Sequence, residues 1–207
     1  RAKAQGLIGF VSGWAELWLI DCLATDYAVH TMSLKKVEDT YRGRVAYTDP
    51  EWVSVLNLFK ELRDSQLPAQ GIVTMVNKQA EQLFANEQAV FAFNGTWAVN
   101  VYRSMNPQLD YGIMMLPKVK DRPMVTWGGA GSSFFVNAKS PRTEEAIAFL
   151  QWLTAEPQQR YLAEATQNIP ANRLAAADLP EHLAAFANAM DATIHPRLLN
   201  AQEDSTV

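Results

Sequence analysis

The 207-residue sequence predicts an α/β fold. Short apolar runs bounded by Gly or Pro alternate with longer stretches whose apolar residues recur at helical spacing. Helix-start signals fall where that alternation needs them: Asp49-Pro50 and Ser140-Pro141 each set an acceptor side chain before a Pro. The composition, 48% hydrophobic and 19% charged, is that of an ordinary globular chain able to build a core without disulfides. Strand-then-helix order of this kind favours α/β layering.

The elements follow in order. Arg1-Ala2-Lys3-Ala4-Gln5-Gly6 reads as the charged tail of a helix closed by Gly. It carries no initiator Met and no signal peptide, so the chain is expected to begin inside a larger protein. Leu7 to Val11 reads as a strand, and Trp14 to about His30 as a helix with Trp14, Leu17, Trp18 and Cys22 at helical spacing. Tyr41 to Tyr47, around Arg42-Gly43-Arg44, reads as a turn or small hairpin.

Asp49 then caps a helix with Pro50 at its first position, and Trp52, Val55, Leu56, Phe59 and Leu62 form one apolar stripe. Leu67-Pro68 through Gly71 ends it. Asn77 to Asn86 is a second helix with Ala80, Leu83 and Phe84 inward. Ala89 to Phe93 is a strand that runs into the turn Asn94-Gly95-Thr96-Trp97, which opens another short helix.

Tyr111 to Leu116 reads as a strand stopped by Pro117, and Lys118 to Pro123 as a polar loop. Thr126-Trp127-Gly128-Gly129-Ala130-Gly131 is the richest Gly cluster, and Ser133 to Asn137 resumes a strand. Ser140-Pro141 starts a helix with Ala146, Ile147, Leu150 and Leu153 on its core face. Gln158 to Ala165 is a further helix, Ile169-Pro170 a break, and Pro180 opens a helix to about Ala192. From His195-Pro196 onward the sequence is polar and carries no fold signal.

Several function classes fall away. A net charge of −4 argues against non-specific nucleic-acid binding, which needs clustered cations. The single cysteine, Cys22, excludes an intrachain disulfide and disfavours a Cys-ligated zinc. The three histidines, His30, His182 and His195, lie in no metal or nucleophile motif. Gly128-Gly129-Ala130-Gly131 precedes a strand rather than opening a helix, so a Rossmann-type phosphate site is disfavoured. No cofactor, metal or catalytic residue is expected. Asn94-Gly95-Thr96 matches the glycosylation sequon, read here as coincidence because it sits in an apolar strand-to-helix turn.

What remains is a set of tryptophans beside glycines at strand ends. Trp97 follows Gly95, Trp127 precedes Gly128-Gly129, and Trp14 follows Ser12-Gly13. Such a ring can show its face to a cleft, where the C–H patches of a sugar pack while neighbouring polar groups hold its hydroxyls. Trp18, Trp52 and Trp152 sit on helix faces and read as core.

The ordered set resembles a family. It comprises Tyr47-Thr48-Asp49-Pro50-Glu51-Trp52, Phe59-Lys60-Glu61-Leu62, Ala80-Glu81-Gln82-Leu83-Phe84, and Ala89-Val90-Phe91-Ala92-Phe93-Asn94-Gly95-Thr96-Trp97. Then come Asp110-Tyr111-Gly112, Leu116-Pro117, Gly128-Gly129, Glu145-Ala146, Phe149-Leu150-Gln151-Trp152-Leu153 and Asn168-Ile169-Pro170. Together they resemble the extracellular solute-binding proteins of ABC importers, in the sugar-binding branch that includes maltose-binding protein.

The resemblance implies a two-lobed periplasmic-binding-protein-like fold with a cleft between lobes. Residues 1–127 would form most of the second lobe, 128–177 a crossing segment and a returning part of the first lobe, and 178–207 a crossing back. It implies that Trp97, in its Gly95 turn, stacks on a sugar, that Trp14 lines the same cleft, and that Trp127 with Gly128 and Gly129 lies at its base. Asn94 and Glu16 are candidate polar partners. The implied partners are a sugar ligand and a membrane permease, and the implied location is periplasmic or extracellular, free or lipid-anchored. Two other readings share these features: a carbohydrate-active enzyme using carboxylates such as Asp26 or Glu16, and a binding protein for another solute such as a polyamine or peptide.

Overall fold

In a computed structural model, residues 2–117, 126–128, 134–177, 179, 181–189 and 193–194 are described. Ile8–Val11 forms β1 and Ala89–Ala92 forms β2, paired in parallel with Ile8 opposite Ala89 and Phe10 opposite Phe91. On the other side of β1, Phe10 exchanges backbone hydrogen bonds with Leu67 and Ala69. A Cβ at Gly9 would overlap Leu67, so this close approach requires glycine.

Between β1 and β2 run four helices: α1 (Leu17–Thr31), α2 (Leu34–Tyr41), α3 (Pro50–Asp64) and α4 (Asn77–Ala85). α5 (Ala98–Met105) follows β2 directly. Parallel strands joined through helices are what the α/β expectation requires.

The start of α3 forms as the sequence predicts. The Asp49 carboxylate accepts the Glu51 N–H at 3.0 Å and Pro50 takes the first turn. Lys36 of α2 reaches both Asp49, at 2.7 Å, and Glu51, at 2.8 Å. The Lys36 hydrogen bond, helped by the Glu51 N–H, holds the Asp49 carboxyl below its ordinary range. Ala28, Val29, Met32, Val37, Trp52 and Val55 fill the space among α1, α2 and α3. There Trp52 Nε1 donates to Thr40 Oγ1 at 2.8 Å, so the buried indole N–H is satisfied. Val11, Ala69, Ala80 and Ala89 form a second cluster under α4.

Further along, β3 (Thr126–Trp127) pairs in parallel with β4 (Thr193–Ile194). The helices here are α6 (Thr143–Leu153), α7 (Glu156–Thr166) and α8 (Glu181–Ala189). Gln159 is buried between α7 and the following turn, donating to Leu153 O at 2.8 Å and accepting the Ala171 N–H at 2.9 Å.

Several expectations need correction. α2 was not expected; Ser33 caps it by accepting the Lys36 N–H, but its short stripe, with Val37 buried, is weak in sequence. Its last turn leads into the expected turn at Arg42-Gly43-Arg44, which is not a hairpin. Tyr111 to Leu116 and 134–137 are not strands, because no ladder partner lies beside them among the described residues. Tyr111 instead buries its ring edge-on against Phe84 and Tyr102.

Leu17 is 77% exposed, so the stripe read for α1 is not one buried face. Leu56 of α3 is exposed as well. Ser140 accepts the Arg142 N–H in a turn, and α6 begins only at Thr143 with Ile147 exposed. The segment near the start is a 3-10 turn, Ala2–Gln5, closed as expected by Gly6 at φ 74°. The readings of Arg1, Lys118 to Pro123, Gly129 to Ser133, Pro180 and the end from His195 lie outside the described residues.

Candidate functional site

Because β1 and β2 are parallel, their carboxyl ends lie side by side. Ser12-Gly13-Trp14 leaves β1 there, and Asn94-Gly95-Thr96-Trp97 leaves β2 there, so two of the three Gly–Trp turns meet. The carboxyl ends of parallel strands are where open α/β sheets bind ligands. Ser12 Oγ donates to Phe93 O at 3.1 Å and the Phe93 N–H donates to Val11 O at 3.0 Å, stitching the two exits together.

Each glycine is needed for close packing. A Cβ at Gly13 would overlap the backbone of Asn77, and one at Gly95 would overlap the Trp97 ring. Trp97 therefore lies folded over its own turn. Its ring, 39% exposed, meets Trp18 with centroids 5.4 Å apart and planes tilted by 55°. The result is an aromatic corner in which Trp18 is half-buried and Trp97 is partly exposed.

Polar groups frame this corner. Glu16 Oε2 accepts from Trp18 Nε1 at 3.2 Å, and Glu16 Oε1 accepts the Asn77 N–H, the first of α4, at 2.9 Å. A carboxylate at a helix N-terminus is favoured by the helix dipole. Glu81, only 7% exposed, accepts from both Asn77 Nδ2, at 2.9 Å, and Asn94 Nδ2, at 3.0 Å, on the one oxygen Oε1. Asn94 Oδ1 accepts the Gly95 N–H at 2.9 Å. Beneath, burial pushes the Tyr102 hydroxyl up to about 12; the Asn94 side chain opposes the shift, and the charge of Glu81 and then Tyr111 add to it.

The sequence-predicted residues are thus sorted. Trp97, Gly95, Asn94 and Glu16 come together. Both carboxylate oxygens of Glu16 and both ends of the Asn94 amide are engaged within the chain, so they hold the turn in place.

Trp14 stands apart from the opening: it is 7% exposed and packs between Phe10 and Phe59 at 6.0 and 5.7 Å. Its ring is core, with Leu19, Leu23 and Ile72, because α1 and the Ile72–Thr74 turn close over it. Trp127 lies in β3, alongside α1, with Gly128 after it; Gly129 is outside the described residues. Asp26 is buried within α1, 3% exposed. Among the described residues no group of His, Cys, Asp and Glu could hold a metal ion.

Residues 3–189 match the family of bacterial extracellular solute-binding proteins. The chain belongs to that family. One relative of this solute-binding protein is the multiple sugar-binding protein of Streptococcus mutans, 30% identical over 79 residues, which is 38% of this chain and 19% of that protein.

Among solved structures, a chitin oligosaccharide binding protein superposes with a TM-score of 0.83 at 18% identity, over 97% of this chain and 53% of that one. A sugar transporter protein from Bacillus licheniformis in complex with stachyose gives 0.74 at 20% identity, over 98% and 53%. The solute-binding protein therefore shares part of the fold of these binding proteins and spans about half their length. The family is extracellular, and these relatives are described as binding or transport proteins rather than as enzymes.

Two residues of the corner escaped the sequence reading. Trp18 lies on a helix and was read as core; the available signal was Glu16, a hydrogen-bond acceptor two residues before it. Glu81 falls on α4 between Ala80 and Gln82, and its partner Asn94 is 13 residues away across a turn, which helical periodicity does not report.

Proposed function

We propose that this protein is the extracytoplasmic solute-binding component of an ABC importer and reversibly captures a sugar or oligosaccharide. The observation that carries the reading is the Trp97–Trp18 corner at the carboxyl ends of two parallel strands. An open indole face suits the C–H patches of a sugar ring, and the sugar-binding relatives support that class of ligand.

Residues 1–127 are read as most of the second lobe, 128–177 as a crossing segment and the returning part of the first lobe, and 178–207 as crossing back. The parallel pairing of β3 with β4 supports a return of the chain beside Thr126–Trp127 by residues 193–194. In this reading Trp127, Gly128 and Gly129 line the base of the cleft and Trp14 braces it from the core. Solute binds to one lobe, a hinge closes the other over it, and a membrane permease recognises the closed form. Closure desolvates the hydroxyls, so a sugar that leaves them unpaired is rejected. No bond is made or broken.

The test is a tryptophan-fluorescence titration against raffinose, stachyose and chitin oligosaccharides, with amino acids and polyamines as controls. A saturable change with one sugar is expected. A response confined to a control would move the function to another solute. Release of shortened products from an incubated oligosaccharide would instead make the protein an enzyme.

A further inference from the structure

We propose that Glu81 is a positioning residue that locks Trp18 and Trp97 into a single aromatic corner. The proposal rests on that corner being the sugar site. Its basis is a closed circuit of contacts. Trp18 donates to Glu16, Glu16 accepts from the first N–H of α4, and Asn77 at that position donates onward to Glu81. Asn94 donates to the same Glu81 oxygen, its other end takes the Gly95 N–H, and Gly95 lies under the Trp97 ring, which closes on Trp18. Glu81 is the node where the β1 side and the β2 side meet.

A buried carboxylate is a costly choice for a helix face that an apolar side chain would fill. Here it does what Leu could not. One carboxylate oxygen carries two acceptor sites, so it takes an amide N–H from each side, and bonds to a charged acceptor are the stronger kind. Holding both amides donor-inward fixes their other ends. The Asn94 oxygen is left facing the Gly95 N–H, which sets the turn under Trp97. The Asn77 oxygen is left buried with no hydrogen-bond partner among the described residues. Turning that amide would set its oxygen against the Glu81 carboxylate and lose the bond from Nδ2, so its orientation marks the pull of Glu81.

Glu81 therefore acts on sugar affinity without touching sugar. The experiment compares Glu81→Leu, Glu81→Gln and Trp18→Phe in the whole protein. The first readout, in the absence of sugar, is the circular-dichroism couplet of two close, tilted indoles, and loss of the couplet in Trp18→Phe assigns it. The second is raffinose and stachyose affinity.

Glu81→Leu is expected to abolish the couplet and weaken binding at least tenfold, with helical content retained. Glu81→Gln, whose Oε1 still accepts both amides, is expected to restore both. If Glu81→Leu does not fold, Asn94→Ala breaks the same link from the β2 side and is read in its place. A couplet that persists in Glu81→Leu, or in Asn94→Ala, overturns the proposal. A couplet that responds as expected in a protein that binds neither sugar leaves the circuit standing and counts against the sugar reading alone.

Discussion

From β1 to α5 many large side chains point at one another: Val11, Leu19, Leu23, Trp52 and Val55 are all buried, and Trp18 of the aromatic corner packs on the cluster of Leu19 and Leu23. From 134 to 189 many of the same kinds of residue face outward, although Leu183 is fully buried. α6 has no buried residue, Phe149 and Trp152 are 53% and 55% exposed, and Phe135 is 90% exposed. Both regions have helices with an apolar face, yet among the described residues the first covers more of it, while in the second Ala163, Ala175 and Leu183 are buried and α6 is not. An amphipathic stripe specifies which face needs cover; the cover must come from another surface. The candidate site belongs to the region that supplies its own.

The sharpest way to break this contrast is Trp52→Ala. It removes a buried indole and its hydrogen bond to Thr40, and is expected to cost about 3–5 kcal/mol in chemical denaturation. A loss under about 1 kcal/mol would mean that this core is not tightly packed.

Raising the pH attacks the same region from below the site. The Tyr102 hydroxyl is raised from 10.0 to about 12 in the fold, so the folded state resists its ionisation. Its stabilising contribution is complete below pH 10 and is lost as the pH climbs from 10 to about 12, on the order of 2–3 kcal/mol in all. Denaturation midpoints across that range should fall, and Tyr102→Phe should flatten the fall.

Gly95→Ala comes next. The added methyl collides with the Trp97 ring, so about 1–3 kcal/mol of stability should be lost and the Trp18–Trp97 couplet should change. The smallest effect belongs to the open region: Phe149→Ala should alter stability by no more than about 0.5 kcal/mol. A large loss there would show that α6 is covered after all.

Local signals were legible wherever one stretch of chain decides the outcome. Asp49-Pro50 starts α3, Gly6 closes its turn, and Gly95 permits the fold of Trp97, each for a reason contained within a few residues. What depends on distant partners was not legible. Tyr111 to Leu116 has the apolar content of a strand but packs by its side chains. Trp14 carries the Gly–Trp signal of a cleft residue, yet Phe10 and Phe59 enclose it. Glu81 gains its importance from Asn77 and Asn94 together.

The central claim is that a sugar packs on the indole of Trp97. Isothermal titration with raffinose and stachyose, on the native protein and on Trp97→Ala, tests it most directly. Removing the ring is predicted to weaken binding by about 1–3 kcal/mol, roughly five- to 150-fold in Kd, with the fold intact. Equal affinity in the two proteins would contradict the account.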